Sequence, residues 1–180
     1  MIRVRQAQLV DAPAIATVHV TAWRNAYAGI LPGDYLAGLS LQRQTGYYLM
    51  SIRRGAGVHV VTASGTDLDT ASRHPRIVGF ATASRHTGPA RYGDGEIETL
   101  YVLDDFRERG FGRSLVQASA TWLAARGCAS LFLWVLRENP SRWFYQRMGG
   151  VPMAEQAIRV AGRDLVQTAY VWPDIGKLLA

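Results

Sequence analysis

EIETLYVLDDFRERGFGRSLV, residues 96–116, is the stretch on which the fold turns. Its opening, Glu96 to Val102, reads as a strand. A short acidic turn follows, and Arg107-Glu108-Arg109-Gly110-Phe111-Gly112 then runs straight into a helix from about Arg113 to Arg126, with Leu115, Val116, Ser119, Trp122 and Leu123 inward. Glycines at such a junction let the backbone approach an anion closely, and the first helical turn offers N–H groups that lack internal partners at the positive end of the dipole. The arrangement suits a diphosphate, and Arg107, Arg109 and Arg113 add charge beside it. Glycines before helices are also common for purely structural reasons. No lysine follows them, so this is not a P-loop, and the dinucleotide fingerprint near a first strand is missing.

Upstream, Ile2 to Gln6 alternates as a half-buried strand, and Asp11 is placed to cap a helix through Ala12 to Tyr27. A second helical stretch runs from Ser40 to about Arg53, and Val58–Ala63 and Ile77–Ala83 read as antiparallel strands joined by a long polar loop. Downstream, Gly127 suits a helix C-terminal cap, and Ala129 to Leu136 is continuously apolar, as in a strand buried on both faces. Asn139 and Pro140 open a short helix to about Met148, and Ala161-Gly162-Arg163 joins strands Ile158–Val160 and Leu165–Val171 as a hairpin. The expected architecture is one α/β (α+β) domain over residues 1–180, with about seven strands and about four helices.

At 180 residues, 48% hydrophobic and 19% charged, with five Trp, eight Tyr and five Phe, the chain is rich enough in core formers to exclude disorder as its main state. A single cysteine, Cys128, cannot form an internal disulfide and reads as a small buried residue. No apolar run nears the roughly 18 residues of a membrane span, so a cytoplasmic protein without a membrane partner is expected. The net charge of +6 is almost wholly arginine, Lys177 being the only lysine. Nucleic acid is not an expected partner, because Asp94, Glu96, Glu98, Asp104, Asp105 and Glu108 crowd the central third. His19, His59, His74 and His86 share no ligand spacing, and no metal is expected.

Glu98-Thr99-Leu100-Tyr101-Val102 followed by Arg107-x-x-Gly110-x-Gly112 resembles the acyl-CoA-binding motif of the GCN5-related N-acetyltransferase (GNAT) superfamily. Asn139-Pro140 leading to Phe144-Tyr145-x-x-x-Gly149 is similar to that family's later helix, and Trp23-Arg24-x-Ala26-Tyr27-x-Gly29-Ile30-Leu31-Pro32 resembles a subgroup of small bacterial members. The resemblance implies a mixed, mostly antiparallel sheet in which strands 4 and 5 form a splayed parallel pair. It implies an enzyme that moves an acetyl group from acetyl-CoA, as cosubstrate, directly to an amine in a ternary complex.

Carried onto this sequence, the resemblance makes Glu98 the base that takes the amine's proton, with Glu96 as rival, and Tyr145 the hydroxyl that assists the departing thiolate. The backbone of Leu100, Tyr101 and Val102 would bond the pantetheine arm. Arg107, Glu108, Arg109, Gly110, Phe111, Gly112 and Arg113 would surround the diphosphate, with Asn139 a further contact or simply a helix cap. Trp23, Tyr27 and Tyr35 either line the acceptor pocket or belong to the core. The acceptor class is open, a homodimer through the C-terminal strands is possible, and the competing reading is a non-catalytic acyl-CoA-binding sensor.

Overall fold

The computed structural model describes residues 3–63, 76–86 and 92–179. Strands β1 (Arg3–Gln6), β2 (Gly57–Ala63), β3 (Arg76–Arg85), β4 (Gly95–Val102), β5 (Leu131–Leu136), β6 (Val151–Val160) and β7 (Arg163–Trp172) form one sheet in the order β1-β2-β3-β4-β5-β7-β6. Every pairing is antiparallel except β4 with β5. Helices α1 (Ala12–Ala26), α2 (Gly33–Ala37) and α3 (Leu41–Arg53) precede β2, α4 (Phe111–Ala124) joins β4 to β5, and α5 (Arg142–Arg147) joins β5 to β6. None of the described helices is long and apolar enough to cross a membrane.

The sheet is covered on both faces, which is why β2 is buried along its whole length. On one face Ile15, Ala16 and Val18 of α1 and Tyr48 of α3 pack on Val58, Val60 and Phe80. On the other, Val116, Ala120 and Leu123 of α4 meet Ile97, Leu131 and Leu133, while Leu115 and Phe111 meet Val61 and Val78. Each fully buried aliphatic side chain of α4 contributes about 1.5–3 kcal/mol, so packing rather than propensity holds this helix.

Several boundaries differ from the expectations. Helix α4 starts at Phe111, two residues before Arg113, because Gly110 at φ +83° is the left-handed residue that lets the chain turn into it. The one-turn helix α2 is an addition, too short to leave a periodic pattern. Strand β6 extends back to Val151, since as an exposed edge strand it carries no apolar alternation. Its hairpin with β7 turns on Ala161 (φ 49°) and Gly162 (φ 79°), both left-handed as a two-residue turn requires. The polar segment at 64–75 and residues 87–91 of the next loop lie outside the described residues.

Asp11 does not cap α1 with its side chain. Its carboxylate instead accepts from Arg5 Nη1 and Nη2 at 2.6 and 2.8 Å and from the Gln8 N–H at 2.7 Å, tying β1 to the start of α1. The Arg5 hydrogen bonds hold this carboxyl below the usual carboxylate range. The stabilisation is therefore complete above the unfolded pKa of about 3.9 and is lost as pH falls through the lower folded value. Because Arg5 is partly exposed, screening reduces the gain; Asp11→Ala should cost about 1–2 kcal/mol at pH 7. In urea unfolding the gap between variant and parent should narrow as pH is lowered below 4.

Candidate active site

β4 and β5 are in register only at Gly95 with Leu131 and Glu96 with Phe132. Small residues permit that close end: a Cβ on Gly95 would lie 2.7 Å from the Leu123 side chain. Beyond it the strands diverge, and a cavity of about 520 Å³ opens between them, bounded also by α1, the start of α4, α5 and the β6–β7 hairpin. The β4 edge facing β5 from Ile97 to Val102 consequently has no strand partner there, leaving peptide groups of Leu100, Tyr101 and Val102 along the cavity.

A β-bulge shapes this wall. Thr82 opposes Thr99 and Ala83 opposes Ile97, so Glu98 is the extra residue with no counterpart on β3. It is exposed toward the cavity, and Glu98 Oε1 accepts a hydrogen bond from Ser84 Oγ at 2.7 Å. Glu96 is half-buried and does not line the cavity; burial, and then the charge of Glu98, raise its carboxyl pKa.

Across from β4, Tyr145 projects from α5, where Phe144 and Tyr170 flank its ring at 5.2 and 6.1 Å. Burial, followed by the proximity of Tyr27, pushes its phenol well above the ordinary value. The hydroxyl has no hydrogen-bond partner among the described residues. Tyr101, whose phenol burial likewise raises, meets the Tyr27 hydroxyl at 3.3 Å. Tyr27, Tyr101 and Tyr145 thus bring three phenol rings to the lining of one cavity.

At one end of the cavity the chain enters α4 with no side-chain cap, and Glu108 (φ 60°) and Gly110 (φ 83°) are both left-handed. Alternating handedness of this kind turns successive N–H groups toward one point, an anion-binding concavity. Arg107, Glu108, Gly110, Gly112 and Arg113 line it. Arg107 is paired with Asp104 at 2.8 Å, and Asp104 in turn accepts from Asn25 at 2.9 Å. Arg109 lies off the cavity, over the Phe106 ring at 5.6 Å. The Phe111 side chain is core, so only its backbone belongs to the helix start.

Asn139 lines the cavity and also accepts from the Ser141 N–H at 2.9 Å, shaping the turn before α5. Trp23 and Tyr27 line the cavity, whereas Tyr35 stands outside it, 6.5 Å from the Trp23 ring. Sequence reasoning missed Ser84, Trp134, Ile158, Val160 and Gln167. Ser84 is visible only through the β3–β4 register, and the all-apolar run of β5 conceals that Trp134 faces an opening. Asp94 is a structural hub that accepts from Ala129 N and Ser130 Oγ.

Residues 37–150 match the acetyltransferase (GNAT) family. The uncharacterized N-acetyltransferase YuaI of Bacillus subtilis is 32% identical over 178 residues, covering 99% of this chain and 96% of that protein. Among solved structures, an N-acetyltransferase from Staphylococcus aureus superposes with TM-score 0.72 at 19% identity, over 97% of this chain and 99% of the other. The putative acetyltransferase yncA of Salmonella typhimurium, solved with acetyl-CoA, gives 0.69 at 18% identity over 96% and 93%. The chain belongs to the GNAT family and is an acetyl-CoA-dependent acetyltransferase.

The turn geometry separates two glycines. Gly110→Ala places a Cβ in the left-handed region and should cost about 1–2 kcal/mol. Gly112→Ala, whose Cβ meets only the tip of the Phe144 ring, at 3.3 Å, should cost less than Gly110→Ala in a thermal melt.

Proposed function

We propose that the enzyme transfers acetyl directly from acetyl-CoA to a primary amine while both are bound, with Glu98 and Tyr145 as its catalytic residues. The observation that carries this reading is the divergence of β4 and β5, which leaves a carboxylate on one wall and an unpartnered phenol on the other. The peptide groups of Leu100, Tyr101 and Val102 bond the pantetheine amides. The N–H groups at Gly110–Arg113 bind the diphosphate, with Arg107 and Arg113 beside it. Asn139 closes the site near the thioester.

An incoming amine is protonated at neutral pH and cannot attack until it loses that proton. Glu98 accepts it and passes it to solvent. The freed lone pair attacks the thioester carbonyl, the C–N bond forms and the C–S bond breaks. The second proton lost from nitrogen ends on the sulfur. Tyr145, held protonated by burial, donates to the departing sulfur and regains a proton from the nitrogen side. Acetyl-CoA and ammonium give amide, free thiol and one released proton.

Tyr145→Phe should lower kcat about 100-fold while the calorimetric affinity for acetyl-CoA stays unchanged. Unaltered turnover would remove Tyr145 from the chemistry. Glu98→Gln should flatten the rise of kcat/KM with pH, and Glu96→Gln should preserve it. The reverse pattern would transfer the base role to Glu96.

A further inference from the structure

The walls of the cavity differ sharply in charge. Around the α4 start it carries Arg107, Glu108 and Arg113, and α5 adds Arg147. Between α1 and the β6–β7 hairpin it is walled by Trp23, Tyr27, Leu31, Leu136, Ile158 and Val160, with no charged side chain in that section of the lining. These residues form one apolar cluster with Tyr101. Glu98 and Tyr145 stand elsewhere on the same lining.

This apolar section is built to hold its shape. Trp23 stacks on His19 with ring centroids 5.2 Å apart and meets Tyr27 edge-on at 4.9 Å. His19 is itself fixed by a 2.6 Å hydrogen bond to Tyr48, and burial lowers its pKa to about 4, so it brings no positive charge behind the Trp23 ring at neutral pH. The hairpin is tied across to the loop after α1 by Arg163 Nη1, which donates to the Ile30 carbonyl at 3.1 Å. The space is therefore bounded on both sides, and about 520 Å³ has to hold the acyl arm as well as the acceptor.

We infer that the acceptor is a small monoamine whose amino group hangs from an aromatic or branched aliphatic body, as in an arylalkylamine. This rests on the transferase reading above. The ammonium meets Glu98 and the electron-rich ring faces, and the body lies against Trp23, Tyr27, Ile158 and Val160. A polyamine or aminoglycoside would press further ammonium groups onto a wall with no carboxylate to receive them. The apolar wall itself carries no cation, so an acceptor carboxylate would have to reach Arg147 on α5 for a partner.

The test is thiol release at saturating acetyl-CoA with phenethylamine and tryptamine set against spermidine and kanamycin. The expected kcat/KM for the arylalkylamines is at least about tenfold higher. Trp23→Leu should raise the phenethylamine KM by a similar factor without altering acetyl-CoA affinity. Val160→Glu, which puts a carboxylate on the hairpin side of this wall, should shift preference toward spermidine in a variant whose thermal melt matches the parent's. Equal or better turnover of the polycations overturns the inference alone; turnover of none of the four amines while acetyl-CoA still binds overturns it too, and turnover of any other amine in the same assay then shows that the transferase reading stands. Loss of acetyl-CoA binding in the parent protein would overturn the transferase reading and this inference with it.

Discussion

The site depends on a parallel strand pair that stops pairing almost as soon as it starts. Parallel neighbours in a sheet ordinarily keep their hydrogen bonds along their shared length. Here β4 and β5 keep them only at the Gly95 and Glu96 end, where glycine lets α4 press against the strand. The bulge at Glu98 comes two residues later and adds local twist, turning β4 away from β5 while β3 follows it without losing its ladder. Cavity, carboxylate position and free strand edge all follow from that one departure.

The departure has an energetic consequence. Peptide groups on the open β4 edge lack strand partners, and each such group costs about 1–3 kcal/mol if it is buried unpaired. The remainder of the fold offsets this with apolar packing on both faces of the sheet, so the open edge can persist. A ligand that supplies the missing partners binds only the folded state and stabilises it in proportion to the logarithm of its concentration. An apolar slot with idle backbone donors and acceptors has a fixed chemical preference for extended amide-bearing chains.

Much of this was legible from residues 96–116 and the elements around them. Helix α4 and the buried strand β5 follow from local chemistry, and so does the glycine-rich turn between β4 and α4, whose left-handed Gly110 came only with the structure. The bulge was not legible, because EIETLYV alternates in a way compatible with an unbroken strand and nothing local says that Glu98 lacks a counterpart. Deciding between Glu96 and Glu98 as cavity residues therefore needed the register with β3. Asp11 resembles a cap until Arg5, on another element, is seen to claim its carboxylate. Strand β6 was mostly invisible for the opposite reason: an edge exposed on both sides needs no apolar pattern to form, only a partner in β7.

The arginine-rich composition has a narrower meaning in the structure than in the sequence. Of the three arginines near the glycine turn, Arg109 covers Phe106, and Arg107 is already neutralised by Asp104. An anion at the turn would have to share Arg107 with that carboxylate, which reduces the benefit of its charge. The uncapped N–H groups of α4 have no such competitor, and their directions are set by backbone rather than by a flexible side chain. Binding through them costs little ordering entropy and is less sensitive to salt than binding through exposed guanidinium groups. The Asp104 carboxylate that restrains Arg107 also receives Asn25 of α1, the helix that carries Trp23. One chain of hydrogen bonds thus joins the anion turn to the aromatic wall, so the two ends of the cavity are positioned against each other before either is filled.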